Sequence, residues 1–129
     1  EDAIEGRRFE DVVAISSCPI IHYYGYRRYL AHEGYDIPYR CLLPKKVENL
    51  LVAGRCISAS HEAQASLRVT GPVMAIGQAA GTAAALAAKA EVGPRAVDVK
   101  DLQRILIQQG ADLHQKVPTQ PVPLPRQLA

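Results

Sequence analysis

The residues best suited to chemistry gather between a short apolar run and a long uncharged segment. His61 stands in a polar stretch, and because imidazole titrates near neutral pH it is the candidate for proton transfer. Arg68 follows just before the uncharged segment, which begins near Val69. The first backbone N–H groups of a helix starting there would be unpaired and partly positive, so they would stabilise an anion or an electron-rich carbonyl. The pattern also allows a structural loop histidine and an arginine held in an ion pair.

The elements that would position these side chains follow the order strand, glycine, loop and helix. Residues 50–53 predict a buried strand, Gly54 its sharp exit, and Pro72 the first turn of a helix that reaches about Ala90. This order suits a nucleotide cofactor that lies against the end of a strand and the start of a helix. A thin helix packed in a core fits the pattern equally well. No Gly-x-Gly-x-x-Gly loop occurs, so we expect the chain to supply one half of a cofactor site.

The other elements follow from local patterns. Apolar runs predict strands, Pro38 disfavours helix before it, and an aspartate before an apolar stripe predicts a helix cap. The expected elements are a strand over residues 12–16, a second over 19–24, an extended segment over 35–40, a strand over 41–43, a helical turn within 57–67, and a helix from Asp98 to Gly110. In the long helix, Gly77, Ala80, Gly81 and Ala84 should share one side, which would let a backbone or a flat cofactor approach closely.

Composition limits the class of protein. The chain has 129 residues, of which 48% are hydrophobic and 22% charged, as in a soluble domain with a real core. The net charge of +2 is too small to argue for an electrostatic partner. Cys18, Cys41 and Cys56 have no paired spacing, so we expect neither a disulfide framework nor a metal site, and reduced thiols suit a cytoplasmic location. Cys56 should be a small buried hydrophobe.

Two segments could be mistaken for targeting or membrane signals. The acidic N-terminus does not have the pattern of a signal peptide, although the chain does not begin with Met. Residues 69–88 are nearly uncharged, yet they contain Pro72, Gln78 and many alanines, which anchor poorly in lipid. We therefore expect a buried helix of a soluble protein and no membrane partner.

Several linked motifs resemble the carboxyl-terminal part of the FAD-dependent oxidoreductases, a broad bacterial group distantly related to the flavoprotein subunits of fumarate reductase. The resemblance is continuous from about Gly6 to Leu113, and the motifs occur in one order, which makes it more specific than a single glycine pattern. They are residues 35–44 (YDIPYRCLLP), 49–58 (NLLVAGRCIS), 61–63 (HEA), 66–69 (SLRV) and 77–81 (GQAAG).

The resemblance implies an α/β fold in which residues 50–53 are the last parallel strand of a Rossmann-like FAD-binding domain. Residues 1–42 would return from the substrate domain, 43–113 would complete the FAD-binding domain, and 114–129 would form an extended Pro-rich tail. The rest of the FAD-binding domain would be a partner of this chain. We therefore expect the chain alone to be inactive, to bind FAD poorly and to self-associate through exposed apolar surface.

The resemblance also implies roles for individual residues. Gly54 and Arg55 would lie near the ribityl–pyrophosphate part of FAD, although related flavoproteins often carry an acid where Arg55 stands. The flavin ring would be approached by Ser66, Leu67, Arg68, Val69 and Thr70. Ser66 could instead cap a helix. The implied reaction is hydride transfer between a small-molecule substrate and the flavin, with His61 and Arg68 as catalytic candidates and Tyr39 and Arg40 on the substrate side.

Two other classes of function compete with this interpretation. Residues 22–29 (HYYGYRRY) interleave aromatic and cationic side chains, as a surface that stacks single-stranded nucleic acid would. No recognisable RNA-binding motif accompanies them, so we expect no nucleic-acid partner. The Gly77/Gly81 spacing would suit a non-catalytic module that packs helices closely, but alone it is weak evidence.

Overall fold

The computed structural model describes residues 1–114 except 23, 24, 26, 31 and 32. The Pro-rich tail predicted over 114–129 therefore lies outside the described residues after His114, and so does the Tyr23–Tyr24 end of the second predicted strand.

Two small antiparallel pairs of strands form the sheet part of the fold. Strand β1 (Val12–Ser16) pairs with β4 (Tyr35–Pro38), with a register irregularity between Val12 and Ala14. The shorter pair joins β2 (Ile20–Ile21) to β3 (Arg27–Arg28). Strand β1 is a run of β-branched and small apolar residues and is almost entirely buried.

Helices make up most of the remaining chain. Helix α1 (Asp2–Glu5) is short, α2 (His61–Leu67) is capped by the Ser60 hydroxyl, and α3 (Thr70–Lys89) starts after Val69 without a side-chain cap. Helix α4 (Val99–Gln108) is capped by the Asp98 carboxylate, which accepts a hydrogen bond from the Lys100 N–H at 2.8 Å. Short 3₁₀ helices cover Tyr39–Leu42, Gly54–Cys56 and Pro94–Ala96.

The core lies where β1 and β4 pack against α3 and α4. Its most deeply buried side chains include Val13, Ile37, Leu42, Ile76 and Leu102. These residues come from both sides of the boundary predicted at residue 42, so in the described part of the chain the two segments share one hydrophobic core. The domain boundary itself stays a prediction.

Two predicted strands were wrong. Residues 41–43 lie at the end of a 3₁₀ helix, because the chain turns directly after Pro38 and the Leu43 N–H bonds the Arg40 carbonyl. Residues 50–53 form no strand and are not buried, since Leu50 is exposed and the other three are half-buried. The Val52 N–H donates to the Leu42 carbonyl at 2.9 Å. A strand needs a hydrogen-bonded neighbour, and among the described residues no parallel partner lies beside this segment. The Rossmann-like arrangement therefore remains a proposal.

The predicted long helix is confirmed as α3, but only one of its faces is buried. Ile76, Ala79 and Ala83 face the core, whereas the opposite face is exposed and carries small residues beside Met74 and Gln78. The small exposed residues are Gly71, Gly77, Gly81, Ala84, Ala85 and Ala88. Ala80 is buried, and so it does not share the exposed side expected for it with Gly77, Gly81 and Ala84. By length and mean hydropathy α3 could also cross a membrane, a test that core helices of soluble proteins pass as well.

Candidate functional site

An open cleft of about 420 Å³ lies at the junction of α2 and α3. Its wall is formed by side chains from three parts of the chain: the β2–β3 hairpin, the Gly54–Cys56 turn and the α2–α3 junction. The lining residues are Ile21, Arg55, Ala65, Arg68, Val69 and Thr70. Four of them, Arg55, Arg68, Val69 and Thr70, belong to the site predicted from the sequence.

Hydrogen bonds between side chains and backbone hold the three parts of the cleft together. The Arg55 Nε donates to the Arg68 carbonyl at 3.2 Å, and the Gln64 amide donates to the Arg55 carbonyl at 2.8 Å. On the other side, the Arg68 guanidinium donates to the Ile21 carbonyl at 3.1 Å. Arg55 and Arg68 are both exposed, and each keeps N–H donors beyond these contacts. The cleft therefore has a wall rich in hydrogen-bond donors.

The start of α3 adds backbone donors to this wall. Val73 is the first residue of α3 whose N–H donates to a backbone carbonyl, that of Val69 at 3.2 Å. Pro72 has no N–H, and the Thr70 and Gly71 N–H groups bond no backbone acceptor among the described residues. A Cβ atom placed on Gly71 would meet nothing within 4 Å, so this end of the helix is open. The helix start can therefore bind an anion or an electron-rich oxygen.

Gly54 shapes the turn that carries Arg55. Its φ of 63° lies in the left-handed region, which a side chain at this position would strain. This conformation follows the extended Ala53 and turns the chain sharply into the 3₁₀ helix that lies against α3. The sharp exit predicted at Gly54 is thus observed, although the segment before it is not a strand.

Ser66 and Leu67 do not point into the cleft. The Ser66 hydroxyl is fully buried and donates to the Cys18 carbonyl at 2.6 Å, with the Ser16 hydroxyl 3.4 Å away. Leu67 is buried in the core. Ser66 also caps no helix, since Ser60 caps α2 and the residue before α3 is Val69. Contact of Ser66 and Leu67 with a cofactor stays a prediction that the geometry does not support.

His61 lies at the opposite end of α2 from the cleft. It is the first residue of that helix and is exposed, whereas the cleft adjoins the last turn. Seven residues at 1.5 Å each place these ends about 10 Å apart. The structure thus does not bring His61 and Arg68 together, and a catalytic role for His61 remains a prediction from the sequence.

Tyr39 and Arg40, expected on the substrate side, are used structurally. The Tyr39 hydroxyl is buried and donates to the Pro94 carbonyl at 2.7 Å. The Arg40 guanidinium pairs with Asp11 at 2.6 Å and lies 4.7 Å from the Phe9 ring centre. Arg40 does line a second cavity, of about 400 Å³, but its charge is already compensated there. Cys56 is exposed and not buried as expected, because it ends the surface turn after Gly54.

Comparison with known families gives the family of the chain. The family model described as FAD dependent oxidoreductase matches residues 1–106, which include every residue lining the cleft. The chain belongs to the FAD dependent oxidoreductase family. No curated protein and no solved structure matches it.

A FAD dependent oxidoreductase is a flavoprotein that acts on a small-molecule substrate, and the residues of the cleft fit this cofactor. FAD has electron-rich carbonyl oxygens on its ring and negative charge on its pyrophosphate. The cleft presents two guanidinium groups and the backbone N–H of Thr70 at the open start of α3. This set consists of donors with positive charge, which matches the cofactor's acceptors.

Sequence reasoning missed two of the lining residues. Ile21 and Ala65 carry no chemical signal of their own, since both are apolar and neither belongs to a functional motif. Ile21 reaches the cleft through a contact with Arg68 that spans 47 residues. Ile21 could have been assigned to the cleft only from that long-range packing.

Proposed function

We propose that this chain forms the flavin-ring side of the cofactor site in a FAD dependent oxidoreductase that transfers hydride between a small-molecule substrate and the flavin. The observation that carries the proposal is the convergence of Arg55, Arg68 and the open start of α3 on one cleft. FAD supplies the hydride chemistry when it is bound. The protein's part is to orient the cofactor and stabilise charge.

Fixed dipoles and guanidinium groups explain how the cleft would contribute. Negative charge that develops at the pyrimidine edge of the cofactor would meet the N–H groups of Thr70 and Gly71. Because helix dipoles are already oriented, they need no rearrangement when the charge appears. Arg68 is held at its other side by the Ile21 carbonyl, so its guanidinium keeps a fixed place at the cleft. Arg68 would thus hold the cofactor and favour its reduction.

Replacing Arg68 tests this assignment in the complete protein. We expect Arg68→Ala to lower FAD retention or the rate of flavin reduction at least about tenfold, since a hydrogen bond to a charged group contributes about 1.5–3 kcal/mol. FAD is measured by absorbance after denaturation, and reduction by stopped-flow absorbance. Arg104→Ala is the matched control, because Arg104 is an exposed arginine on α4 that pairs with Asp101 outside the cleft. If Arg68→Ala behaves like Arg104→Ala, Arg68 is not part of the site.

A second candidate function is favoured by the exposed small-residue face of α3. A helix face that carries mostly small residues lets another backbone approach closely, so this chain could act as an interaction module without catalysis. Gly81→Leu would then disrupt association while leaving α3 intact, since a Cβ at Gly81 meets nothing within 4 Å. Absence of FAD from the complete protein, together with loss of association in Gly81→Leu, would favour the module over the oxidoreductase.

A further inference from the structure

Two contacts of the same kind join the end of α2 to the segment 18–21, which leads into β2. The Ser66 hydroxyl donates to the Cys18 carbonyl at 2.6 Å, and the Arg68 guanidinium donates to the Ile21 carbonyl at 3.1 Å. The contacts lie side by side, since their donors and their acceptors are close neighbours along the chain. They differ in burial: Ser66 is fully buried, whereas Arg68 is exposed and lines the cleft.

The single proton of each hydroxyl fixes the direction of the bonds at Ser66. The Ser66 proton lies on the Cys18 carbonyl, so Ser66 can only accept from the Ser16 hydroxyl, 3.4 Å away. The Ser16 oxygen in turn accepts from the Cys18 N–H at 3.4 Å. The N–H and the carbonyl of Cys18 are thus both bonded in a circuit with two buried serines. The short bond of this circuit is the one that Ser66 donates.

A displacement of Cys18 is passed on to Ile21 because the connection between them is short and stiff. Pro19 has a fixed φ and confines Cys18 to extended backbone. Ile20 is buried and holds the segment against α2, but apolar contact has no preferred direction and does not set where the segment lies along the helix. A hydrogen bond requires a defined distance and angle. The bond from Ser66 therefore sets the position of the segment along α2.

We propose that Ser66 is a positioning residue of the cleft: it fixes the Cys18 carbonyl, and with it the Ile21 carbonyl that orients the Arg68 guanidinium. The inference rests on the proposed function, because it gives Ser66 a part in the flavin site without contact with the cofactor. Arginine has a long side chain whose ordering costs conformational entropy. An acceptor that is already in place orders Arg68 when the protein folds and not when the cofactor binds, which favours binding.

A double-mutant cycle between Ser66 and Arg68 tests this role in the complete protein. FAD is titrated into the protein freed of cofactor, and the dissociation constant is obtained from the quenching of flavin fluorescence. We expect Ser66→Ala to raise the dissociation constant about fivefold, the equivalent of one neutral hydrogen bond. In the Arg68→Ala background the same substitution should have no effect, because the guanidinium on which it acts is absent.

Two further variants separate positioning from a general loss of stability. Ser16→Ala is the matched control, because Ser16 is nearly as buried as Ser66 and its removal leaves the bond between Ser66 and Cys18 in place. It should lower stability and leave FAD binding unchanged. Ser66→Cys is the milder variant, since a thiol is a weaker donor than a hydroxyl. Its dissociation constant for FAD should lie between those of the unaltered protein and Ser66→Ala.

Backbone hydrogen exchange followed by mass spectrometry gives a readout that does not depend on FAD. In the protein freed of cofactor, Ser66→Ala should speed exchange of the amides of residues 20–22, because the segment loses the bond that fixes it. Exchange in α4 should stay the same in this variant, and Ser16→Ala should leave residues 20–22 unchanged.

The outcomes distinguish this inference from the proposed function. Equal weakening of FAD binding by Ser66→Ala in both backgrounds would overturn the inference, since Ser66 would then act without Arg68. Unchanged exchange over residues 20–22 in Ser66→Ala would overturn it as well. Failure of the proposed function would appear instead in Arg68→Ala alone, as FAD binding equal to that of the unaltered protein.

Discussion

Two buried tyrosines provide a matched test of the hydrogen bonds that hold the fold. Tyr39→Phe and Tyr35→Phe each remove one hydroxyl from a side chain that is at most 5% exposed. The Tyr39 hydroxyl donates to the Pro94 carbonyl at 2.7 Å, a contact that ties the end of β4 to the 3₁₀ helix before α4. The Tyr35 hydroxyl is buried near Ser16 and Ser66 without a hydrogen-bond partner among the described residues.

These contacts set the expected magnitudes. Loss of a hydrogen bond costs about 1 kcal/mol, and a buried carbonyl left without a donor adds to that cost. The Pro94 carbonyl also accepts a bond from the Val97 N–H at 3.4 Å, so the added cost is small. We expect Tyr39→Phe to lower the free energy of unfolding by about 1–1.5 kcal/mol. Tyr35→Phe should change it by less than about 0.5 kcal/mol or raise it, because it removes a buried unpaired polar group.

Urea denaturation followed by far-ultraviolet circular dichroism would measure both variants at pH 7. Equal destabilisation by the two substitutions would refute the reasoning, since it would mean that the Tyr35 hydroxyl has a partner as good as that of Tyr39. Unchanged stability of Tyr39→Phe would show that the bond to Pro94 contributes nothing.

The stabilities of the two Phe variants can also be compared at high pH. Burial raises the pKa of both phenols above the usual 10.0. The unfolded chain therefore releases these protons first as the pH rises. The stability that this difference contributes is complete below pH 10 and is lost as the pH rises through the pKa values of the folded state. Each Phe variant should lose stability less steeply above pH 10 than the unaltered protein does.

Two further predictions concern a buried carboxylate and a thiol. Asp36→Ala should lower the free energy of unfolding by about 3 kcal/mol in the same denaturation assay. The Asp36 carboxylate is 2% exposed and accepts hydrogen bonds from the Phe9 N–H, Arg8 and His114. Asp101→Ala breaks an exposed ion pair and should lower the free energy of unfolding by less than about 1 kcal/mol. Burial raises the pKa of the Cys41 thiol, so at pH 8 iodoacetamide should alkylate the exposed Cys56 at least about tenfold faster than Cys41. Comparable costs for Asp101→Ala and Asp36→Ala, or comparable alkylation rates measured by peptide mass spectrometry, would contradict these expectations.

Elements whose determinants are local could be predicted from the sequence. Residues 12–16 form a strand with the bounds expected, because an apolar β-branched run indicates burial without reference to the rest of the chain. Asp98 caps its helix as expected, since the cap and the N–H that it accepts from lie two residues apart. Residues 50–53 failed because a strand requires a neighbour, and no local pattern shows whether one lies alongside.

The residues of the cleft could likewise be predicted only where the determining pattern is local. Arg55, Arg68, Val69 and Thr70 lie near one another in sequence, and the family resemblance groups them from their motifs alone. Ile21 belongs to no such motif, and its place in the cleft depends on a hydrogen bond from Arg68 that spans 47 residues.

Gln103 has a consequence for how the protein forms during synthesis. Its side-chain amide donates to the Glu10 carbonyl at 2.8 Å and to the Val12 carbonyl at 2.9 Å, across separations of 93 and 91 residues. At roughly 5–20 residues per second, a ribosome needs about 5–20 s to pass from the first partners to the last. During that interval the amide that bonds these two carbonyls has not yet been synthesised. The Glu10 and Val12 carbonyls at the start of β1 therefore obtain this partner only after α4 is made, and β1 completes its packing last.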